Sequence, residues 1–187
     1  MFTYALPIQL GEKIDNLGVR YTRRLPSAGT NSPGKTWQDA FNTESRDDVE
    51  AQCLEHEYEF EWTPDDTLVC NFTRTGFISH PVTQIPLFVN GMSSLHSSIY
   101  NGWDPYDKMD TNMRPWNTSW GDGSPISLDE IEAIDDLSDD LAMAVADRTG
   151  DILVLDNFAY SHGRLPYRGK RELGVMIGDP VNPAEIN

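Results

Sequence analysis

The run Gly150-Asp151-Ile152-Leu153-Val154-Leu155-Asp156-Asn157 is followed five residues later by His162-Gly163-Arg164, and then by Gly169-Lys170-Arg171. The short apolar run thus leads to one imidazole and, nine residues further, one guanidinium on neighbouring stretches of extended chain. A strand alternates its side chains between two faces, so such a run can aim a histidine into the interior of a barrel. Neutral imidazole is a common ligand for iron, and the planar fork of arginine suits a carboxylate gripped by two hydrogen bonds. Together they are half of a metal-and-acid site.

The other half needs further ligands, and the remaining histidines do not supply them in a paired form. His56 is followed by Glu57 and Tyr58, His80 by Pro81 and Val82, His96 by Ser97 and Ser98, so no His-x-Asp or His-x-Glu pair exists. His80 reads as a residue shaping the turn before Pro81, and His56 as a helix-surface residue. Arg164 and Arg168 read as packing or rim charges, and Phe88 and Asn90 either line a substrate or belong to a strand in the core. Asp135, Asp136, Asp139 and Asp140 invite a metal reading, but at helical spacing they read as a solvated face.

The elements that must position these residues follow from periodicity. Ile8 to Leu25 reads as a short helix leading into a strand, and Pro26 to Lys35 is a loop by its Ser, Gly, Asn and Pro content. Trp37 to Glu57 turns helical, with Ser45 an N-cap before Val49, Cys53 and Leu54, which predicts two short helices. Glu59 to Phe72 is a hairpin candidate around the turn residues Pro64-Asp65-Asp66. His80 to Asn90 reads as a turn and a short apolar strand. Tyr100 to Asp122 carries Trp103, Tyr106, Trp116 and Trp120 among Asn, Asp, Gly and Pro, the pattern of a long lid-like segment held by aromatic anchors. Ser127 with Glu130 is a capping box opening a helix, in which Ile131, Ile134, Leu137, Leu141 and Val145 recur at helical spacing. Ile152 to Leu155 and Gly174 to Ile177 read as two closing strands.

At 187 residues the chain is one domain's worth, 1–187, with enough length for a core. Its net charge of -16 repels phosphate backbones and anionic lipid, which argues against nucleic acid and membrane surfaces and for small-molecule partners. No apolar run approaches the roughly 20 residues that span a bilayer. Cys53 and Cys70 make no disulfide framework or CxxC motif, which fits a reducing, cytoplasmic compartment.

The C-terminal segment resembles the end of a TauD/TfdA-like (clavaminate synthase-like) Fe(II)- and 2-oxoglutarate-dependent oxygenase. Gly150-Asp151, Asp156-Asn157, His162-Gly163-Arg164 and Gly169-Lys170-Arg171 match that family's pattern position by position. Looser matches occur in family order at Gly18-Val19-Arg20-Tyr21, Trp37 to Phe41, His80 to Thr83 with Phe88-Val89-Asn90, and Gly121 to Ile126. The resemblance implies an α+β, mainly β chain built as a double-stranded β-helix, or jelly-roll, with flanking helices. It implies His162 as the distal iron ligand, Arg171 on the far carboxylate of 2-oxoglutarate, and hydroxylation of a small-molecule substrate. The family's His-x-Asp or His-x-Glu segment belongs well before Gly18. It is not found in the seventeen residues there, so the domain is expected to be truncated and the barrel incomplete at its N-terminal side. The alternative expectations are a non-catalytic remnant or small-ligand-binding module lacking a complete iron site, or the later part of a longer enzyme.

Overall fold

The computed structural model describes residues 2–30, 33–145, 148–164, 166, 168–170 and 172–178. Two helices open the chain, α1 (Phe2–Ala5) and α2 (Ile8–Leu17), and strand β1 (Val19–Leu25) follows. Next come α3 (Trp37–Phe41), α4 (Arg46–Glu55), β2 (Glu59–Trp62), β3 (Leu68–Arg74), β4 (Phe77–Ser79) and β5 (Pro86–Phe88). Three short 3-10 turns between Ser97 and Met113 lead to β6 (Trp116–Trp120), and α5 (Leu128–Leu141) is the last helix among the described residues. The strands form an open antiparallel sheet in the order β2-β3-β1-β6 and a separate β4-β5 hairpin. This is an α+β arrangement of antiparallel strands and helices, and the sheet does not close on itself.

Local chemistry explains most of these elements. Thr36, Ser45 and Ser127 each accept a hydrogen bond from the amide three residues on, at Asp39, Asp48 and Glu130, which satisfies donors that a helix start leaves unpaired. The capping box at α5 is complete: Glu130 accepts from the Ser127 amide at 2.8 Å. Its other oxygen accepts from Lys13 on α2 at 2.6 Å. Burial works to raise the Glu130 carboxyl, but the bonds from Lys13 and Ser127 outweigh it and hold the group below its ordinary value. The Lys13 ammonium also lies 4.3 Å from the Trp120 ring centre, so one lysine joins α2, α5 and β6.

Two apolar clusters cover the sheet. Ile14, Val19, Tyr21, Met92, Trp120, Ile131 and Ile134 belong to one, where α2 and α5 pack on β1 and β6. Leu25, Trp37, Val49, Cys53, Leu68 and Cys70 form the other, where α3 and α4 meet the β2-β3 hairpin. Cys53 and Cys70 are free thiols with sulfurs 3.9 Å apart, and burial pushes both above the ordinary thiol range.

Three expectations from the sequence change. Trp116–Trp120 is not part of an irregular lid but an edge strand paired with β1 along Val19↔Trp120 to Arg23↔Trp116. Its Asn, Thr and Ser disguise a period of two in which Thr118 and Trp120 are buried. Only the first part of the 100–122 stretch is irregular, and there Trp103 is exposed rather than an anchor. The helix from Ser127 stops at Leu141, leaving Val145 outside it and exposed. Ile152 to Leu155 and Gly174 to Ile177 are not strands: no described residue pairs with them, and Ile152, Val154 and Met176 are 90, 87 and 96% exposed. A short apolar run makes a strand only when a neighbour supplies hydrogen bonds and a surface to cover.

The turn from β6 toward α5 leaves no room for a side chain. A Cβ on Gly121 would sit 1.9 Å from the Leu17 carbonyl oxygen at the end of α2. Gly18 closes that same helix with φ 66, and its carbonyl accepts from the Gly121 amide at 3.2 Å. A Gly121→Ala substitution must push α2 off the sheet, and we expect it to cost roughly 1–3 kcal/mol, the usual range for overpacking. Urea denaturation followed by tryptophan fluorescence checks this. A lower midpoint at unchanged slope is expected, and an unchanged midpoint contradicts the packing described.

Candidate functional site

His80 sits where β4 turns toward β5, buried at 8% exposure. Its Nδ1 accepts from the backbone amides of Val82 at 3.1 Å and Thr83 at 3.0 Å, which is the turn-shaping role read from the sequence. An Nδ1 that accepts twice carries no proton, so the ring proton resides on Nε2. Nε2 donates to Asp156 Oδ2 at 2.8 Å, a contact the sequence reading did not find. The other Asp156 oxygen accepts from the amides of Phe158 at 3.0 Å and Ala159 at 3.3 Å, and the Phe158 ring stands edge-on to the imidazole. The bond from His80 is the main reason the Asp156 carboxyl lies below its ordinary value, with the two amides adding to it against partial desolvation. The available signal was that His80-Pro81 and Asp156-Asn157 both fall in the family-like pieces, 76 residues apart.

His162 lies six residues beyond Asp156, exposed and in no regular element, and Arg164 and Arg168 are exposed as well. Arg171 lies outside the described residues. Among the described residues no three His, Cys, Asp or Glu side chains stand together in a way that could hold a metal ion. Both ring nitrogens of His80 are engaged, and His56 caps α4 at the surface with its ring 5.6 Å from that of Tyr58. The aspartates of α5 are exposed, as a solvated face requires.

Asn90 and Phe88 serve the fold. The Asn90 amide donates to the Gly76 carbonyl at 2.9 Å and accepts from the Met92 amide at 3.0 Å. Phe88 stacks on Phe2 at 4.9 Å and packs against the larger core cluster. Tyr21 on β1 reaches the same loop, its hydroxyl accepting from the Gly91 amide at 2.9 Å.

The family model for the taurine catabolism dioxygenase TauD, TfdA family matches residues 36–177. The chain belongs to that family, whose members generally use Fe(II) and 2-oxoglutarate and act on small molecules. It is 28% identical over 172 residues to the dapdiamide synthesis protein DdaC of Enterobacter agglomerans, covering 89% of this chain and 50% of that protein. It is 25% identical over 166 residues to a clavaminate synthase-like protein of Arabidopsis thaliana, covering 87% of this chain and 48% of that one. The chain thus spans about half the length of these curated relatives. No helix among the described residues is long and apolar enough to cross a membrane.

Because the Asp156 carboxyl is depressed in the folded chain, its bond to His80 is fully present above the ordinary value near 3.9 and is lost as pH falls through the lower folded value. In proton NMR, the His80 Nε2–H should be shielded from water exchange and visible at neutral pH. Its signal should persist through the ordinary carboxylate range, vanish only on acidification below it, and be absent in Asp156→Ala at any pH. An unchanged signal in Asp156→Ala contradicts the contact.

Proposed function

We propose that the chain is a double-stranded β-helix domain, 1–187, of an Fe(II)- and 2-oxoglutarate-dependent dioxygenase, an oxidoreductase hydroxylating a small-molecule substrate in the cytoplasm. The observation that carries this reading is the family match through 177, which includes His162-Gly163-Arg164 and Gly169-Lys170-Arg171 in order. In this reading His162 is an iron ligand and Arg171 grips the distal carboxylate of 2-oxoglutarate. The antiparallel sheet and its outer helices agree with a jelly-roll that needs further strands beside those described.

The described side chains do not by themselves fit a three-ligand iron site, since His162 has no companion ligands among them. That favours a second reading for the chain taken alone: a small-ligand-binding module that keeps the anion-gripping arginine without holding iron. An anaerobic titration with Fe(II) and 2-oxoglutarate, followed by absorption, separates the two. A tight, stoichiometric charge-transfer band lost in His162→Ala supports the oxygenase reading for the chain alone, and no band supports the module.

The arginine is tested independently of iron. Two charge-assisted hydrogen bonds contribute roughly 1.5–3 kcal/mol each before desolvation is subtracted, so 2-oxoglutarate should bind weakly without metal. Arg171→Lys keeps the charge but loses the fork, and it should weaken binding nearly as much as Arg171→Ala. Calorimetry on the three proteins checks this, and equal affinities would remove Arg171 from the site.

A further inference from the structure

A cavity of about 410 Å³ lies between the 3-10 turns that follow Ser97, strand β6 and the Gly123–Leu128 segment that leads into α5. Arg114 lines it and is only 5% exposed. One of its terminal nitrogens donates to the Ser97 carbonyl at 2.6 Å and to Asn101 Oδ1 at 2.8 Å. Its Nε is buried without a partner, and no carboxylate lies within ion-pair reach of the guanidinium among the described residues. A buried cation left this way is costly unless an anion joins it.

The rest of the wall has the same character. His96 is 8% exposed, and its Nδ1 accepts from the Ser98 amide at 3.2 Å, which leaves the proton on Nε2. No described residue accepts from that Nε2. Burial holds His96 below the ordinary imidazole value; Asp135 opposes this and Arg114 adds to it, so the ring is neutral and a donor at neutral pH. Although the chain has 30 Asp and Glu residues, none lines the cavity, whereas Ile126 and Leu128 supply an apolar end.

We propose that this cavity binds the carboxylate of a small organic acid, with Arg114 as the charged donor, His96 as a second donor and a short apolar body against Ile126 and Leu128. A monoanion fits better than phosphate, because one guanidinium with one terminal nitrogen already engaged must balance the ligand within a chain of net charge -16. The proposed donors are other residues than the Arg171 assigned to 2-oxoglutarate.

The test is a propionate titration of the full chain, followed by the arginine Nε–H cross-peaks in a proton–nitrogen NMR spectrum. Arg114 is identified by the peak missing in Arg114→Lys. We expect a saturable shift of the Arg114 peak, retained in Arg171→Ala, and, with affinities compared by propionate-observed NMR where that peak is absent, binding weaker by about ten- to hundredfold in Arg114→Lys, the loss of one charge-assisted contact. Asn112 lies at the exposed rim, so Asn112→Trp blocks the mouth without touching Arg114 and should abolish the shift. That variant decides the matter if Arg114→Lys does not fold. Absence of a saturable shift in folded wild type, equal affinity in Asn112→Trp, loss of the shift in Arg171→Ala, or tighter binding of inorganic phosphate than of propionate would each overturn the proposal.

Discussion

Strand β1 is hydrogen-bonded on both sides, to β3 from Val19↔Arg74 through Leu25↔Leu68 and to β6 from Val19↔Trp120 through Arg23↔Trp116. A strand with one buried face cannot slip by a residue without turning its apolar set to solvent, so this double pairing sets the register of its neighbours. It stacks Tyr21 on Phe72 with ring centres 5.0 Å apart and brings Arg23 to 5.0 Å from the Trp116 ring centre. The tight start of the strand at Gly18, against the Arg74 carbonyl on one side and Gly121 on the other, fixes how α2 meets the sheet. Both apolar clusters and the Arg114 cavity hang from this frame, the cavity through β6.

The segment with the family's C-terminal pattern relates to that frame differently. Ile152, Val154 and Met176 in it are exposed, and His80 of the β4-β5 turn donates to its Asp156 and meets the Phe158 ring edge-on. One part-buried charge-assisted hydrogen bond is modest compared with a paired strand, whose ladder and packing add along its whole length. His162, six residues beyond Asp156, is exposed and belongs to no regular element. The chain belongs to the TauD/TfdA family and spans about half of its curated relatives.

Much of the fold was legible wherever local chemistry decides it. The Ser45 and Ser127 caps, the Pro64-Asp65-Asp66 hairpin turn and the helix-to-strand passage at Gly18 all stand as their residue types indicate. Where pairing partners decide, the reading failed in both directions: Trp116–Trp120 hid a strand under polar residues, and Ile152 to Leu155 promised one that finds no neighbour. The β4 strand was likewise missed, since Phe77–Ser79 is too short to show alternation and exists because Phe88 lies opposite Phe77. At the site, sequence indicated the turn role of His80 but not its reach to Asp156. Neither that contact nor the convergence of His96 and Arg114 has a local signature, because each joins residues brought together only by the sheet and its loops.

The β1-centred sheet forms a folded unit in which the described residues of 151–178 take no strand position. Amide hydrogen exchange followed by mass spectrometry tests it directly, since ladder amides open only with the unit while unpaired amides exchange freely. Peptides covering Val19–Leu25 and Leu68–Arg74 should be the slowest to exchange, and those covering 152–155 and 174–177 should exchange at the rate of an unpaired chain. Protection of 152–155 equal to that of β1 would contradict the account.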